Sequence, residues 1–200
     1  MDLLIAIPLK PFGVAKARLA PVLSAGQRSR LGRTVAARTV AVATETGARV
    51  AVVTGDPEVS DWAVAQGAEV IAETGTGGLN AAASAAVVVA LSEGRGWAIL
   101  HADLPLLAFE ELRDALARWR PGDTVLAPTY DGGTSLLVGD VKFPFAYGPG
   151  SFHRHLRLAD GRAEIVVRRG LALDMDTPRD LQAALQINPR LADAWNTVRT

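Results

Sequence analysis

The chain has 200 residues, 49% hydrophobic and 21% charged, enough for one compact domain with a substantial core and calling for no second. Lys plus Arg balances Asp plus Glu at 21 each, so no global field favours nucleic acid or an anionic membrane. With no cysteine, disulfides, thiolate metal sites and cysteine nucleophiles are excluded, and the composition fits a cytoplasmic location.

The apolar run at 3–7 is expected to form a buried first strand, ended by Pro8. It follows an acidic second residue and is too short for a signal peptide. The loop over 8–21 concentrates Lys10, Lys16 and Arg18. Ser24 with Gln27 spells a capping box, so a helix should run from there to about 44 and stop at Gly47. A second strand over 49–54, a helix over 58–66 closed by Gly67, and a short strand over 69–72 follow.

The glycine-rich segment Glu73-Thr-Gly-Thr-Gly-Gly78 leads into an alanine-rich helix over about 79–93. Its apolar stretch, 81–91, falls well short of the ~18 residues a membrane span needs, so no membrane partner is expected. A strand over 97–101 runs toward Asp103, then a helix over 109–119, and strands over 124–127 and 133–138 flank an Asp131-Gly-Gly turn. Beyond 138 the pattern loosens. Ser151 reads as the N-cap of a short helix to about 158, and 164–167 as a strand. The apolar residues before Asp174 read as another buried strand, and Thr177-Pro-Arg-Asp180 as a second capping signature. This alternation predicts an α/β fold with a mostly parallel central sheet flanked by helices, in a single domain over 1–200.

Ligands of such sheets collect at the carboxyl ends of the strands. Asp103 in Ile99-Leu-His-Ala-Asp-Leu-Pro105 and the pair in Leu173-Asp-Met-Asp-Thr-Pro178 fall at such ends. On an extended segment i and i+2 share a face, so Asp174 and Asp176 can grip one metal centre that Asp103 joins. Clustered carboxylates resist joint ionisation, and a hard cation such as Mg²⁺ resolves the conflict. A strand end followed by a helix cap would equally explain Asp174 and Asp176 taken alone. The basic loop can cradle phosphates through its amides, Lys10, Lys16 and Arg18, although it lacks the Gly-Lys-Ser/Thr of the large NTPase families. The glycine-rich turn over 75–80 is as well explained as a connector. Thr134 and Ser135, with Gly148-Pro-Gly-Ser151, offer hydroxyls and amides for a small anion, and ordinary turn chemistry would use them too.

Read together, Ile7-Pro-Leu-Lys-Pro-Phe-Gly-Val-Ala-Lys-Ala-Arg-Leu19, Gly78-Leu-Asn80, His101-Ala-Asp-Leu-Pro105, Gly133-Thr134, Phe145-Ala-Tyr-Gly-Pro-Gly-Ser-Phe-His-Arg-His155 and Leu173-Asp-Met-Asp-Thr-Pro-Arg-Asp-Leu181 resemble the guanylyltransferases of coenzyme F420 biosynthesis. These are the 2-phospho-L-lactate or phosphoenolpyruvate guanylyltransferases, and the resemblance spans about 3–186. It implies a Rossmann-like nucleotidyltransferase fold shared with A-type glycosyltransferases. It also implies GTP and a small phosphorylated three-carbon acid as substrates, with Mg²⁺ as cofactor. By motif, Asp103, Asp174 and Asp176 would be the metal ligands and, with Lys16, the catalytic set. Lys10, Lys16, Arg18 and Asn80 would hold GTP, while Thr134, Gly148 and Ser151 would hold the phospho-acid. His101, His153 and His155 receive no catalytic role, because a phosphate nucleophile is ionised at neutral pH and needs no base.

Other classes compete. Asp174-Met-Asp-Thr-Pro superficially fits the nucleophile motif of haloacid-dehalogenase-type phosphatases, but that motif belongs on the first strand with its partners far downstream. A sugar-nucleotide glycosyltransferase shares the fold and an Asp-x-Asp metal site, and a non-catalytic nucleotide-binding module is the third reading. A homodimer is compatible with the sequence.

Overall fold

Leu3, Leu4, Ile5, Ala6 and Ile7 are all buried, on both faces, which puts β1 (Leu3–Pro8) inside a sheet rather than at its rim. The computed structural model describes residues 2–14, 16–73 and 78–193. β2 (Arg49–Thr54) and then β3 (Glu69–Ala72) extend the sheet in parallel on one side of β1, and β4 (Gly96–Leu100) pairs in parallel on the other. β5 (Thr124–Pro128) and β6 (Thr134–Gly139) are joined tightly, so they pair antiparallel. The joint is closed by Gly132 at φ 85 and by the Gly133 amide donating to Asp131 at 3.0 Å. β6 is antiparallel to β4 as well, and β7 (Ala163–Ile165) lies parallel beside β5, giving the order β3-β2-β1-β4-β6-β5-β7. The sheet is thus mostly parallel with one reversed strand, as the alternation predicts.

Alternate residues of β1 feed opposite faces. Leu3, Ile5 and Ile7 pack with α1 (Ala25–Glu45), α2 (Pro57–Ala65) and, further along the sheet, α4 (Phe109–Ala117); Leu4 and Ala6 pack with α3 (Gly78–Ser92). Small buried residues, Ala82, Ala83, Ala86 and Ala90, form the face that α3 turns to the sheet. α5 (Ser151–Leu158) follows the loose segment, and α6 (Arg169–Ala172) and α7 (Pro178–Ile187) close the described chain with a 3-10 turn at Pro189–Ala192. Among the described residues no helix is long and apolar enough to cross a membrane.

Both capping signatures are present. Ser24 and Gln27 cap α1 reciprocally, and Thr177 and Asp180 do the same for α7, with Pro178 in the first turn. Two expectations are corrected. The run before Asp174 is α6, a single helical turn, because Gly170 lies hard against the backbone of 106–107 and its amide is taken by the Glu111 carboxylate, at 3.0 and 3.2 Å, not by a neighbouring strand. Ser151 is the first residue of α5 and not its cap; Gly150, left-handed at φ 68, holds the cap position. The glycine-rich segment falls partly outside the described residues, at 74–77.

A Cβ on Gly170 would meet the Leu106 carbonyl oxygen at 2.7 Å and Leu107 Cα at 2.8 Å, backbone that cannot yield cheaply. Gly170→Ala should therefore lower stability by about 1–3 kcal/mol in urea unfolding. Wild-type stability in that variant would contradict the close seating of α6.

Candidate active site

Leu19 and Met175 are fully buried in one apolar cluster with Leu31, Val35 and Leu181. That packing pulls the loop after β1 and the segment after α6 to the same place. Lys16 precedes the 3-10 turn Ala17–Leu19 and adopts the left-handed conformation, φ 59 and ψ 32, which costs a residue with a Cβ on the order of 1 kcal/mol. Asp174 and Asp176 flank Met175 on an extended stretch, partly exposed while Met175 is buried, so they share a face as expected. The Met175 amide donates to the Asp103 carbonyl at 3.1 Å and fixes that stretch beside the end of β4.

The Lys16 ammonium ends up between two carboxylates, 2.8 Å from Asp103 Oδ2 and 3.3 Å from Asp176 Oδ1, on a side chain only 7% exposed. Burial opposes its charge, yet the two aspartates outweigh that and hold it above the usual lysine value. Asp103 answers in kind: burial would raise it, but Lys16, then His101, bring it below the usual carboxylate range. Among the described residues Asp174 has no such cationic partner. Burial, followed by the charges of Asp103, Asp131 and Asp176, pushes it up to about 7. The carboxylate cluster thus carries more negative charge than one lysine relieves.

A cleft of about 330 Å³ opens here, lined among others by Lys10, Lys16, Asp103, Asp174, Asp176 and Gly78 at the start of α3. Five of the expected site residues are together. Arg18, Asn80, Thr134, Gly148 and Ser151 do not line the cleft. Arg18 is exposed on the 3-10 turn. The Asn80 Oδ1 accepts the Tyr147 amide at 2.8 Å and ties α3 to the 143–150 segment. Thr134 is fully buried; its Oγ1 lies 2.9 Å from His155 Nδ1 and 3.3 Å from Ser151 Oγ, while the Gly148 carbonyl accepts the Ser151 amide. A run of rings joins the two groups: His101 and Tyr147 centroids are 5.4 Å apart, Tyr147 and His155 4.7 Å.

Sequence reasoning missed His101, Asp131, Tyr147 and His155. His101 lines the cleft two residues before Asp103, and His155 stands one helical turn after Ser151, a spacing that shares a face. Both signals were available, but asking only for a general base passed over them.

Mg²⁺ usually takes one or two carboxylates and completes its octahedron with water and substrate phosphate. Asp103 and Asp176 already share one cation in the Lys16 ammonium, and the buried Asp103 Oδ1 has no hydrogen-bond partner among the described residues, with His101 Nδ1 3.9 Å away. An all-oxygen pair with spare capacity fits a hard cation. Among the described residues no group of three or more His, Cys, Asp or Glu side chains is arranged to hold a metal ion, so the fit is to a pair completed by a bound phosphate, not to a ready cage of three.

Because the raised carboxyl costs native stability, the cost grows from pH 3.8 to about 7 and is level above. Asp174→Asn should then stabilise the metal-free protein above pH 7 by about 1 kcal/mol, or roughly 2–4 °C in Tm, after solvent screening is allowed for. The gain should fade toward pH 4. A lower Tm at pH 8 would mean that Asp174 is not repelled by its neighbours.

The guanylyl transferase CofC-like family matches residues 3–187. A phosphoenolpyruvate guanylyltransferase of Streptomyces avermitilis is 38% identical over 207 aligned positions, covering 97% of this chain and 94% of that one. A 3-phospho-D-glycerate guanylyltransferase of Colwellia psychrerythraea is 33% identical, covering 89% of each. Among solved structures, a candidate nucleotide-diphospho-sugar transferase from Desulfovibrio desulfuricans superposes with TM-score 0.74 at 18% identity, covering 97% of this chain and 98% of that one. A nucleotidyl transferase from Methanothermobacter gives 0.67 at 15% identity, covering 96% and 98%. Those structures share the fold, and the sequence match carries the family: the chain belongs to the guanylyl transferase CofC-like family.

Proposed function

We propose that the protein transfers GMP from GTP to phosphoenolpyruvate, releasing pyrophosphate, as a step of coenzyme F420 biosynthesis in the cytoplasm. The observation that carries this reading is the Lys16 ammonium held between Asp103 and Asp176 in a cleft at the strand ends, a charge arrangement made for a polyanion with its cation. Relatives at 38% identity bear the name of this activity.

In the proposed reaction a phosphate oxygen of the acceptor attacks the α-phosphorus of GTP in line. The bond from that phosphorus to the β-phosphate oxygen breaks, and pyrophosphate leaves. The nucleophile is already ionised, so no side chain need remove a proton. The chain's work is positioning and charge stabilisation. Lys16 and Lys10 line the cleft and would meet the triphosphate, and Arg18 would reach it from the exposed 3-10 turn outside the lining. Asp103 and Asp176 would hold Mg²⁺, with Asp174 adding negative charge beside them; the ion when bound would neutralise charge on the triphosphate and the leaving pyrophosphate. Thr134, Gly148 and Ser151 would hold the acceptor. Asn80 reaches the site indirectly, by fixing Tyr147 in the segment before Gly148.

A second acceptor, 3-phospho-D-glycerate, is favoured by relatives of that name at 33% and 36% identity, and 2-phospho-L-lactate stays in the comparison as the third acid. The test supplies GTP and Mg²⁺ with each acid in turn and measures pyrophosphate and product mass. Pyrophosphate with phosphoenolpyruvate, and a product of GMP joined to it, is the expected result. Asp103→Asn should lower kcat on the order of 10²–10³-fold while GTP binding is largely kept. No pyrophosphate with any of the three acids would overturn the assignment, and a sugar nucleotide consumed instead would favour glycosyl transfer.

A further inference from the structure

His155 is buried and makes two hydrogen bonds of fixed sense. Its Nε2 is 2.9 Å from the Ala146 amide. A backbone N–H can only donate, so Nε2 must be the unprotonated nitrogen, and in the neutral ring the proton sits on Nδ1. Nδ1 in turn lies 2.9 Å from Thr134 Oγ1 and therefore donates to it. Thr134 keeps its own proton free, with Ser151 Oγ at 3.3 Å to receive it. The Ser151 proton is then the one left to point elsewhere. Ser151 is only 2% exposed, so these directions are set by protein partners and not by water.

We infer that His155 is a positioning residue for the acceptor: held in its Nδ1-protonated tautomer by the Ala146 amide, it sets Thr134 and Ser151 as successive donors aimed at the anionic phospho-acid. This rests on the proposed role of Thr134 and Ser151. The reverse tautomer would spend the Thr134 proton on the ring and draw the Ser151 proton back to Thr134. Lone pairs would then face an anion, which costs binding. The surroundings favour the neutral ring. Burial first, then the charges of Arg154 and His101, bring His155 down to about 4, and the rings of Phe143, Phe145 and Tyr147 enclose it.

The two bonds of His155 can be separated by substitution. The amide nitrogen of an asparagine falls where Nδ1 is and can still donate to Thr134, whereas a glutamine reaches to where Nε2 is and can still accept from Ala146. If orientation of Thr134 is the function, His155→Gln raises the acceptor KM by about tenfold or more, with the GTP KM within about twofold. His155→Asn then raises the acceptor KM less than His155→Gln does. If His155 merely supports the loop, the order reverses, with glutamine the better replacement and both KM values moving together; that result overturns the inference. In a Thr134→Val background His155→Gln should add little more, and full additivity would also count against it. Should the variants fold poorly, ¹⁵N NMR of histidine-labelled wild-type protein reads the tautomer directly. Nδ1-protonated His155 is expected, and Nε2–H overturns the proposal. Wild-type protein inactive with every acid would instead fault the proposed function, and the tautomer measurement would still stand.

Discussion

The site depends on one lysine. Lys16 draws together Asp103, 87 residues away, and Asp176, 160 residues away, and it does so from a left-handed backbone position on a side chain nearly out of solvent. Ion pairs of this kind seldom stabilise a fold more than well-packed apolar residues would, because both charges must be desolvated. The burial of Leu19 and Met175 in one apolar cluster brings the charges into range. Lys16 then decides which carboxylates share a cation and which are left over. Asp174 is left over, and burial first, then the charges of Asp103, Asp131 and Asp176, raise its carboxyl. Perturbed carboxyls and ammonium groups gathered in a cleft are a common feature of functional sites.

The reversed strand β6 brings Thr134, and with it the proposed acceptor group, to the same sheet edge. Parallel β1 and β4 deliver the basic loop and Asp103 to one edge, while antiparallel β6 begins at that edge, so Thr134 starts where β4 ends. The His101 amide donates to the Ser135 carbonyl at 2.8 Å, fastening the end of β4 to the start of β6. Asn80 from α3, and the neighbours Arg154 and His155 from α5, each hold the Ala146–Tyr147 backbone. The loop bearing Gly148 and Gly150 is thereby preorganised before any ligand arrives. In the proposed reaction, which has no covalent intermediate, preorganisation of this sort would supply much of the rate.

What was legible in the sequence was what short-range physics decides. The capping boxes at Ser24 and Thr177 and the stop at Gly47 need only neighbours within a turn, and they stand where the pattern put them. The three aspartates and Lys16 were legible only in combination, two acidic chain segments after apolar runs together with a basic loop after the first strand. The α6 turn was not: Gly170-Leu-Ala-Leu is short enough to be strand or helix, and the deciding contact, Glu111 on the Gly170 amide, comes from a distant helix. Ser151 looked like a cap because serine favours caps, but a glycine able to take φ 68 stood just before it and freed the hydroxyl for Thr134. Asn80 lay in the right loop for a nucleotide, and only the fold reveals that its oxygen is engaged by Tyr147. The bonds of His155 to Thr134 and the Ala146 amide were not legible, because hydrogen-bond direction is not displayed by composition and spacing.

The central claim is that Lys16 and Asp103 are energetically joined, and a double-mutant cycle on their unfolding in urea tests it most directly. Lys16→Met, Asp103→Asn and the pair of changes together should give a coupling of about 2 kcal/mol or more, since either single change strands a largely buried partner. Single effects that add to within about 0.5 kcal/mol would mean the two groups act independently and would contradict the account.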